Sequence, residues 1–311
     1  MKSIAAATLF ASVVLAQSAS LIPSGISSQC SSFLSEFNQD STLSSCTSAI
    51  INATSAFAPS TNASAATTTP SASAINSALG AVCTSTSCPD TTIRSKLADF
   101  YQACSDELSS NPNQDVVKIY DVLYALTPLK NAICSKDDSG NYCVSKMAQN
   151  ASSSAASTLS TISQYVSTPL DSNSAVSRRA TVQSVVAASP NATTFASNNL
   201  LFLMLQPDLP SASLCTSCTR SIITSYISFE SSTPYGPGLS SSALLSGQSK
   251  LYEGVQNTCG ANFLSGAVAA AAGLSGGVTG QIASGASSLV ANTGVAGAIM
   301  GAAILALTAS L

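Results

Sequence analysis

The chain has 311 residues and a formal net charge of −3, with 45% hydrophobic residues and only 8% Asp, Glu, Lys and Arg, where a soluble domain carries about 25% charged side chains. Histidine is absent, which excludes Ser-His-Asp and Cys-His nucleophile pairs, histidine-ligated zinc and a histidine general base. The near-neutral balance, without a basic cluster, excludes nucleic acid as an expected partner.

In chain order, Met1-Lys2 gives a short positive start and residues 3–16 an apolar stretch ending Val14-Leu15-Ala16. Such a stretch is too short to span ~30 Å of hydrocarbon and predicts a signal peptide over residues 1–16. A cysteine-rich helical region is expected over 17–166, with residues 59–73 as a flexible Ser/Thr/Pro/Ala loop. Within it, Cys30, Phe33, Leu34 and Phe37 recur at helical spacing, and a second helix capped by Asp40 carries Leu43, Cys46 and Ile50. Cys88-Pro89-Asp90 predicts a third helix, opened by the proline and an N-cap side chain, with one face running Ile93, Leu97, Phe100, Tyr101, Cys104 and Leu108. A fourth carries Val116, Ile119, Tyr120, Leu123 and Leu126, and Pro128 is expected to halt or kink it. Asp137-Asp138-Ser139-Gly140-Asn141 reads as a polar turn, followed by a long Ala/Ser-rich helix over 142–165.

Residues 167–189 are predicted to be a linker. A C-terminal helical region over 190–260 is expected to pack on the first, through residues 195–205, then Leu214, Cys218, Ile222, Tyr226 and Phe229, then Leu244, Leu251, Tyr252, Val255 and Cys259. The fold class expected is all-α: a disulfide-stapled helical bundle with Ser/Thr-rich linkers and a hydrophobic helical tail. No charged residue follows Glu253, and residues 295–311 are apolar with no basic residue beyond them. A span would be expected to carry one. Small residues, a spacer and an apolar tail predict a glycosylphosphatidylinositol (GPI) anchor signal over 285–311, behind a Gly/Ala/Ser stalk over 261–284, with Ser284 and Gly285 as candidate attachment residues.

The signal peptide implies an oxidising compartment, so the ten cysteines, Cys30, Cys46, Cys83, Cys88, Cys104, Cys134, Cys143, Cys215, Cys218 and Cys259, are expected to form disulfides of a connectivity that spacing alone leaves open. Seven precede the linker and three follow it, so full pairing requires at least one bridge between the halves. Cys215-Thr216-Ser217-Cys218 has redox-motif spacing but lacks a strand before it, and structural use is expected. Sequons at Asn52, Asn62, Asn150 and Asn191 are expected to carry N-glycans. Arg178-Arg179, in a Ser-rich segment, is a candidate cleavage site for kexin-like proteases.

Glycan cleavage needs two carboxylates ~5–10 Å apart. Asp106-Glu107 and Asp137-Asp138 are adjacent acid pairs, with Asp99 upstream, yet tryptophan is absent and each acid reads better as a helix cap or an exposed face. The turn at 137–141 lacks calcium-loop spacing. Neither metal nor cofactor is expected.

The stretches Ile22-Pro23-Ser24-Gly25-Ile26-Ser27-Ser28-Gln29-Cys30, Leu43-Ser44-Ser45-Cys46-Thr47 and Leu214-Cys215-Thr216-Ser217-Cys218-Thr219, with Tyr226-Ile227-Ser228-Phe229-Glu230, resemble a family of fungal secreted proteins carrying a domain of unknown function. The resemblance covers about residues 22–260 and implies signal-bearing, GPI-type surface glycoproteins. It supplies no catalytic residue. The expected function is that of a non-enzymatic, glycosylated cell-surface or cell-wall protein whose partners are the membrane, through a lipid anchor, and cell-wall glycan. Two alternatives stand beside it: a module that binds lipid or another hydrophobic ligand in a cavity lined by Phe33, Phe100, Tyr120 or Leu123, and a glycan-remodelling enzyme.

Overall fold

A computed structural model describes residues 22–54, 72–150, 166–167 and 189–265. The helices are α1 (Ser28–Phe37), α2 (Ser41–Thr54), α3 (Ala72–Thr84), α4 (Asp90–Ala103), α5 (Gln114–Cys134), α6 (Cys143–Asn150), α7 (Ala192–Ser197), α8 (Ser211–Leu214), α9 (Ser217–Ser232) and α10 (Gln248–Cys259). The one ladder among the described residues pairs β1 (Val166–Ser167) antiparallel with β2 (Ser189–Pro190). The protein is an all-α, disulfide-stapled bundle.

Its axis is α5, which packs against α3, α4, α6 and α9. Residues 121–130 are buried at every position, the pattern of a helix enclosed on all sides rather than lying on a surface. Pro128 does not end this helix, which runs on to Cys134. Proline removes one backbone donor from the helix, but two fixings hold the following turn: Lys130 donates to the Ser85 carbonyl at 2.6 Å and its hydroxyl at 2.9 Å, and Cys134 is bonded to Cys83.

The first two helices follow their sequence signals. Ser27 caps α1 by accepting from the Cys30 amide, and Asp40 Oδ1 accepts from the amides of Thr42 and Leu43 to open α2. Lys96 pairs with the same carboxylate. The start of α4 differs from expectation. Pro89 occupies the cap position without a side-chain bond, and Asp90 is the first helical residue, where its charge meets the positive end of the helix dipole. Nor does the apolar face continue as one helix to Leu108. α4 ends at Ala103, and residues 106–110 form a π turn that buries Glu107 and Leu108. The bond from Cys104 to Cys30 fixes the break between them.

Of the long helix expected over 142–165, α6 accounts for Cys143–Asn150, and most of the remainder lies outside the described residues. Residues 195–205 are not one helix either. α7 ends at Ser197, a 3₁₀ turn covers Leu200–Phe202, and Asn199, Leu203 and Met204 have positive φ of 46°, 53° and 66°. Left-handed backbone at such residues costs about 1–3 kcal/mol each. Burial of residues 199–205 and the bond from Asn199 Nδ2 to the Leu205 carbonyl at 2.9 Å hold it. Leu214 belongs to α8 rather than α9, and Leu244 precedes α10.

All ten cysteines are paired: Cys30–Cys104, Cys46–Cys88, Cys83–Cys134, Cys143–Cys218 and Cys215–Cys259. Cys143–Cys218 is the bridge between the halves that the cysteine count requires, and the β1–β2 ladder joins the ends of the 167–189 segment. The remainder of that segment, including Arg178 and Arg179, lies outside the described residues. A chain cut after Arg179 is therefore expected to migrate as one species on a non-reducing gel and as two with reductant. Separation without reductant would contradict the Cys143–Cys218 pairing.

Candidate functional site

The densest polar chemistry lies where α5 meets the segment joining α9 to α10. Asp121 is completely buried on α5, and its Oδ1 accepts from the Tyr235 hydroxyl. Its Oδ2 accepts from the backbone amides of Ala243 and Leu244, each at 3.0 Å. The flanking tyrosines extend this grip. Tyr124 donates to the Thr233 carbonyl, and the Tyr235 ring meets Tyr120 and Tyr124 edge-on with centroids 5.3 and 5.1 Å apart. Gly236 lies so close to α4 and α5 that a Cβ there would stand 3.1 Å from both the Tyr101 ring and the Tyr120 hydroxyl. Residues 233–244 are thus clasped by Tyr120, Asp121 and Tyr124.

None of the ion pairs among the described residues involves Asp121. Burial raises its pKa from 3.8 to about 7, against the opposing pull of Tyr235, Ser242 and the two amides. Glu230, buried on α9, faces Tyr124 and Tyr252 and, after burial itself, raises both hydroxyls. Neither acid was singled out from sequence. The signal for Asp121 was an acid on an apolar stripe, with Val117, Tyr124 and Ala125 one turn away on either side.

The acid pairs noted in the sequence are placed apart from this clasp and serve the fold. Of the two roles expected for these acids, helix cap or exposed face, Glu107 takes the first: it is buried, and its Oε1 accepts from the Ser27 amide at 2.6 Å. It supplies from 80 residues away the back-bond to the N-cap amide that a capping box normally draws from the third residue of the helix. Burial pushes its pKa up, but the Ser27 amide and hydroxyl hold it below the ordinary value. Glu107 also lies with Cys30 and Cys104 within 4.8 Å, but both sulfurs belong to the disulfide and offer no thiolate to a metal. Asp106 and Asp99 are exposed. Asp137 Oδ1 accepts from the amides of Ser139 and Asn141, while Lys146, pairing with Oδ2, lowers its pKa to about 2. Asp138 accepts from Ser217 at 3.1 Å, linking this turn to α9.

Cys215 and Cys218 do not bond to each other: the former holds Cys259 and the latter Cys143. The motif is structural. Phe33, Phe100 and Tyr120, candidate lining for a ligand cavity, pack ring to ring with centroids 5.2 and 5.4 Å apart, and Leu123 is buried beside them. Among the sequon asparagines, Asn52 is exposed on α2 and Asn150 is the last residue of α6. Asn191 caps α7, its Oδ1 accepting from Thr194 at 3.2 Å. A sugar on Nδ2 leaves that oxygen in place. Asn62, Ser284 and Gly285, and the segments over 1–16 and 285–311 expected to be signal peptide and anchor signal, lie outside the described residues. No helix among the described residues is long and apolar enough to cross a membrane.

The clasp has a pH signature. A carboxyl with a folded pKa of about 7 against an ordinary 3.8 binds its proton more tightly folded than unfolded. Its contribution to stability is present in full below the lower value and lost as pH rises through the higher. Thermal unfolding of Asp121→Asn should therefore lose a decline in Tm that the native chain shows between pH ~4 and ~8. Asp121→Leu, which strips two amides of their acceptor, should cost about 2–4 kcal/mol. Equal pH slopes for the native chain and Asp121→Asn would contradict the assignment.

Ten cysteines joined in five disulfides are the mark of a secreted or extracellular protein. No curated protein and no solved structure matches the chain. A match to a sequence family does exist, over residues 18–187, a stretch that takes in α1 to α6 and β1 but stops short of the partners of Cys143 and Asp121. By that match, across more than half its length, the chain belongs to the family described as Domain of unknown function (DUF7729).

Proposed function

We propose that this protein is a non-enzymatic, glycosylated surface protein of the cell or its wall, tethered by a GPI-type lipid anchor. The observation that carries the reading is that all ten cysteines are paired within one helical body, the construction expected of a domain that folds in the secretory pathway. The polar groups of that body support it: Glu107 ties α1 to the π turn, Asp121 holds residues 233–244, and Asp137 and Asp138 bind the turn before α6 to α6 and α9. These acids serve segments of the fold rather than converging on a shared cleft. The family match begins just after the proposed cleavage at Ala16, in keeping with removal of a leader.

In this reading the start of the segment expected as stalk, through Phe263 and Leu264, packs on the body, the body rides on the uncharged remainder to residue 284, and sugars at Asn52, Asn62, Asn150 and Asn191 solvate a surface with few charges of its own. The contact with cell-wall glycan runs through these sugars and the anchor. Phospholipase specific for phosphatidylinositol anchors should release the protein from washed membranes in a soluble form of unchanged mobility under reducing conditions. Retention on the membrane after a digestion that frees a known anchored control would overturn the anchor.

A further inference from the structure

Two asparagines outside the four sequons stand two residues before a cysteine: Asn141-Tyr142-Cys143 and Asn257-Thr258-Cys259. N-glycosylation requires a hydrogen-bonding group two residues after the acceptor, ordinarily a Ser or Thr hydroxyl. A thiol is a weaker donor and acceptor of the same kind, and it can serve only while it remains a thiol. In the folded protein neither does. Cys143 is fully buried and bonded to Cys218, and Cys259 is bonded to Cys215.

The connectivity determines which thiol is available when its asparagine enters the lumen. The six cysteines preceding Cys143 pair among themselves, as Cys30–Cys104, Cys46–Cys88 and Cys83–Cys134. Cys143 is thus the odd one out until its partner is made 75 residues later, an interval of about 4–15 s at ~5–20 residues per second of synthesis. Cys259 has the opposite history. Its partner lies 44 residues upstream and is already in the lumen when Cys259 arrives.

The folded structure accommodates a sugar at Asn141. This residue is exposed at the end of the turn between α5 and α6, which takes its left-handed step at Gly140 (φ 81°). Asn141 holds the turn with its backbone, donating to Asp137 Oδ1 and accepting from the Asp137 amide, both at 2.9 Å. The carboxamide is not used in closing the turn.

We propose that Asn141 is a further N-glycosylation acceptor, modified through the Cys143 thiol before the bond to Cys218 closes, and that Asn257 is left bare. The donor is an oligosaccharide on a lipid pyrophosphate. The bond from the first sugar carbon to the pyrophosphate oxygen breaks, the bond from that carbon to Asn141 Nδ2 forms, the amide gives up one proton, and the lipid pyrophosphate leaves; nothing is oxidised or reduced. The proposal rests on the secretory reading above.

Glycopeptide mapping of the native protein from a eukaryotic secretory host tests it. Enzymatic removal of N-glycans in heavy-oxygen water converts each formerly occupied asparagine to a labelled aspartate. The expected result is label at Asn141, several-fold less or none at Asn257, and label at Asn52 or Asn191. Label at Asn52 or Asn191 with none at Asn141 overturns the proposal and leaves the secretory reading intact. Label at Asn257 equal to that at Asn141 overturns the ordering by disulfide partner. Absence of label at every site overturns both the proposal and the glycoprotein reading.

Discussion

The structure depends on enclosing α5. A helix buried through residues 121–130 must place Asp121, Thr127 and Lys130 in the interior along with its apolar side chains. An isolated charge there is costly unless it finds partners. The fold supplies them from both sides. Ser85 receives Lys130 from the N-terminal half, and Tyr235, Ala243 and Leu244 reach Asp121 from the C-terminal half. The second half therefore completes the core of the first rather than forming a domain of its own. The family match, which ends at residue 187, covers only part of this unit.

The disulfides follow the same plan. Three close among the first six cysteines and tie α1 and α2 to the two ends of α4, and α3 to the end of α5. The remaining two meet at the start of α9: Cys218, in its first turn, reaches back to α6, and Cys215, just before the helix, reaches forward to the end of α10. α9 packs along α5, so the covalent link between the halves lies next to the packing it secures. With few charges available for surface ion pairs, each worth ~0–1 kcal/mol, covalent closure and apolar burial are left to hold the body together.

Much of the helical architecture was legible because it is local. The apolar spacing of Cys30, Leu34 and Phe37, the Asp40 cap, and the parity of cysteines across the linker all survive in the structure. What was not legible is set by long-range contacts. Pro128 is tolerated because Lys130 and Cys134 are fixed by partners 45 and 51 residues away. Residues 104–110 leave the helix because Cys104 must reach Cys30 and Glu107 must reach Ser27. The left-handed backbone at Leu203 and Met204 has no signature in residue type. Asp121 was overlooked because its neighbours in sequence are apolar, while its partners lie more than 110 positions away.

Cys215 and Cys218, three residues apart, bond to different partners, one upstream on α6 and one downstream at the end of α10. Peptide mapping of the intact, unreduced protein by mass spectrometry tests this most directly. The expected result is a peptide containing Cys143 joined to one containing Cys218, and Cys215 joined to Cys259, with no free thiol. A Cys215–Cys218 bond within the motif would contradict it, since Cys143 and Cys259 would then be left to find each other and the halves would no longer be stapled along α9.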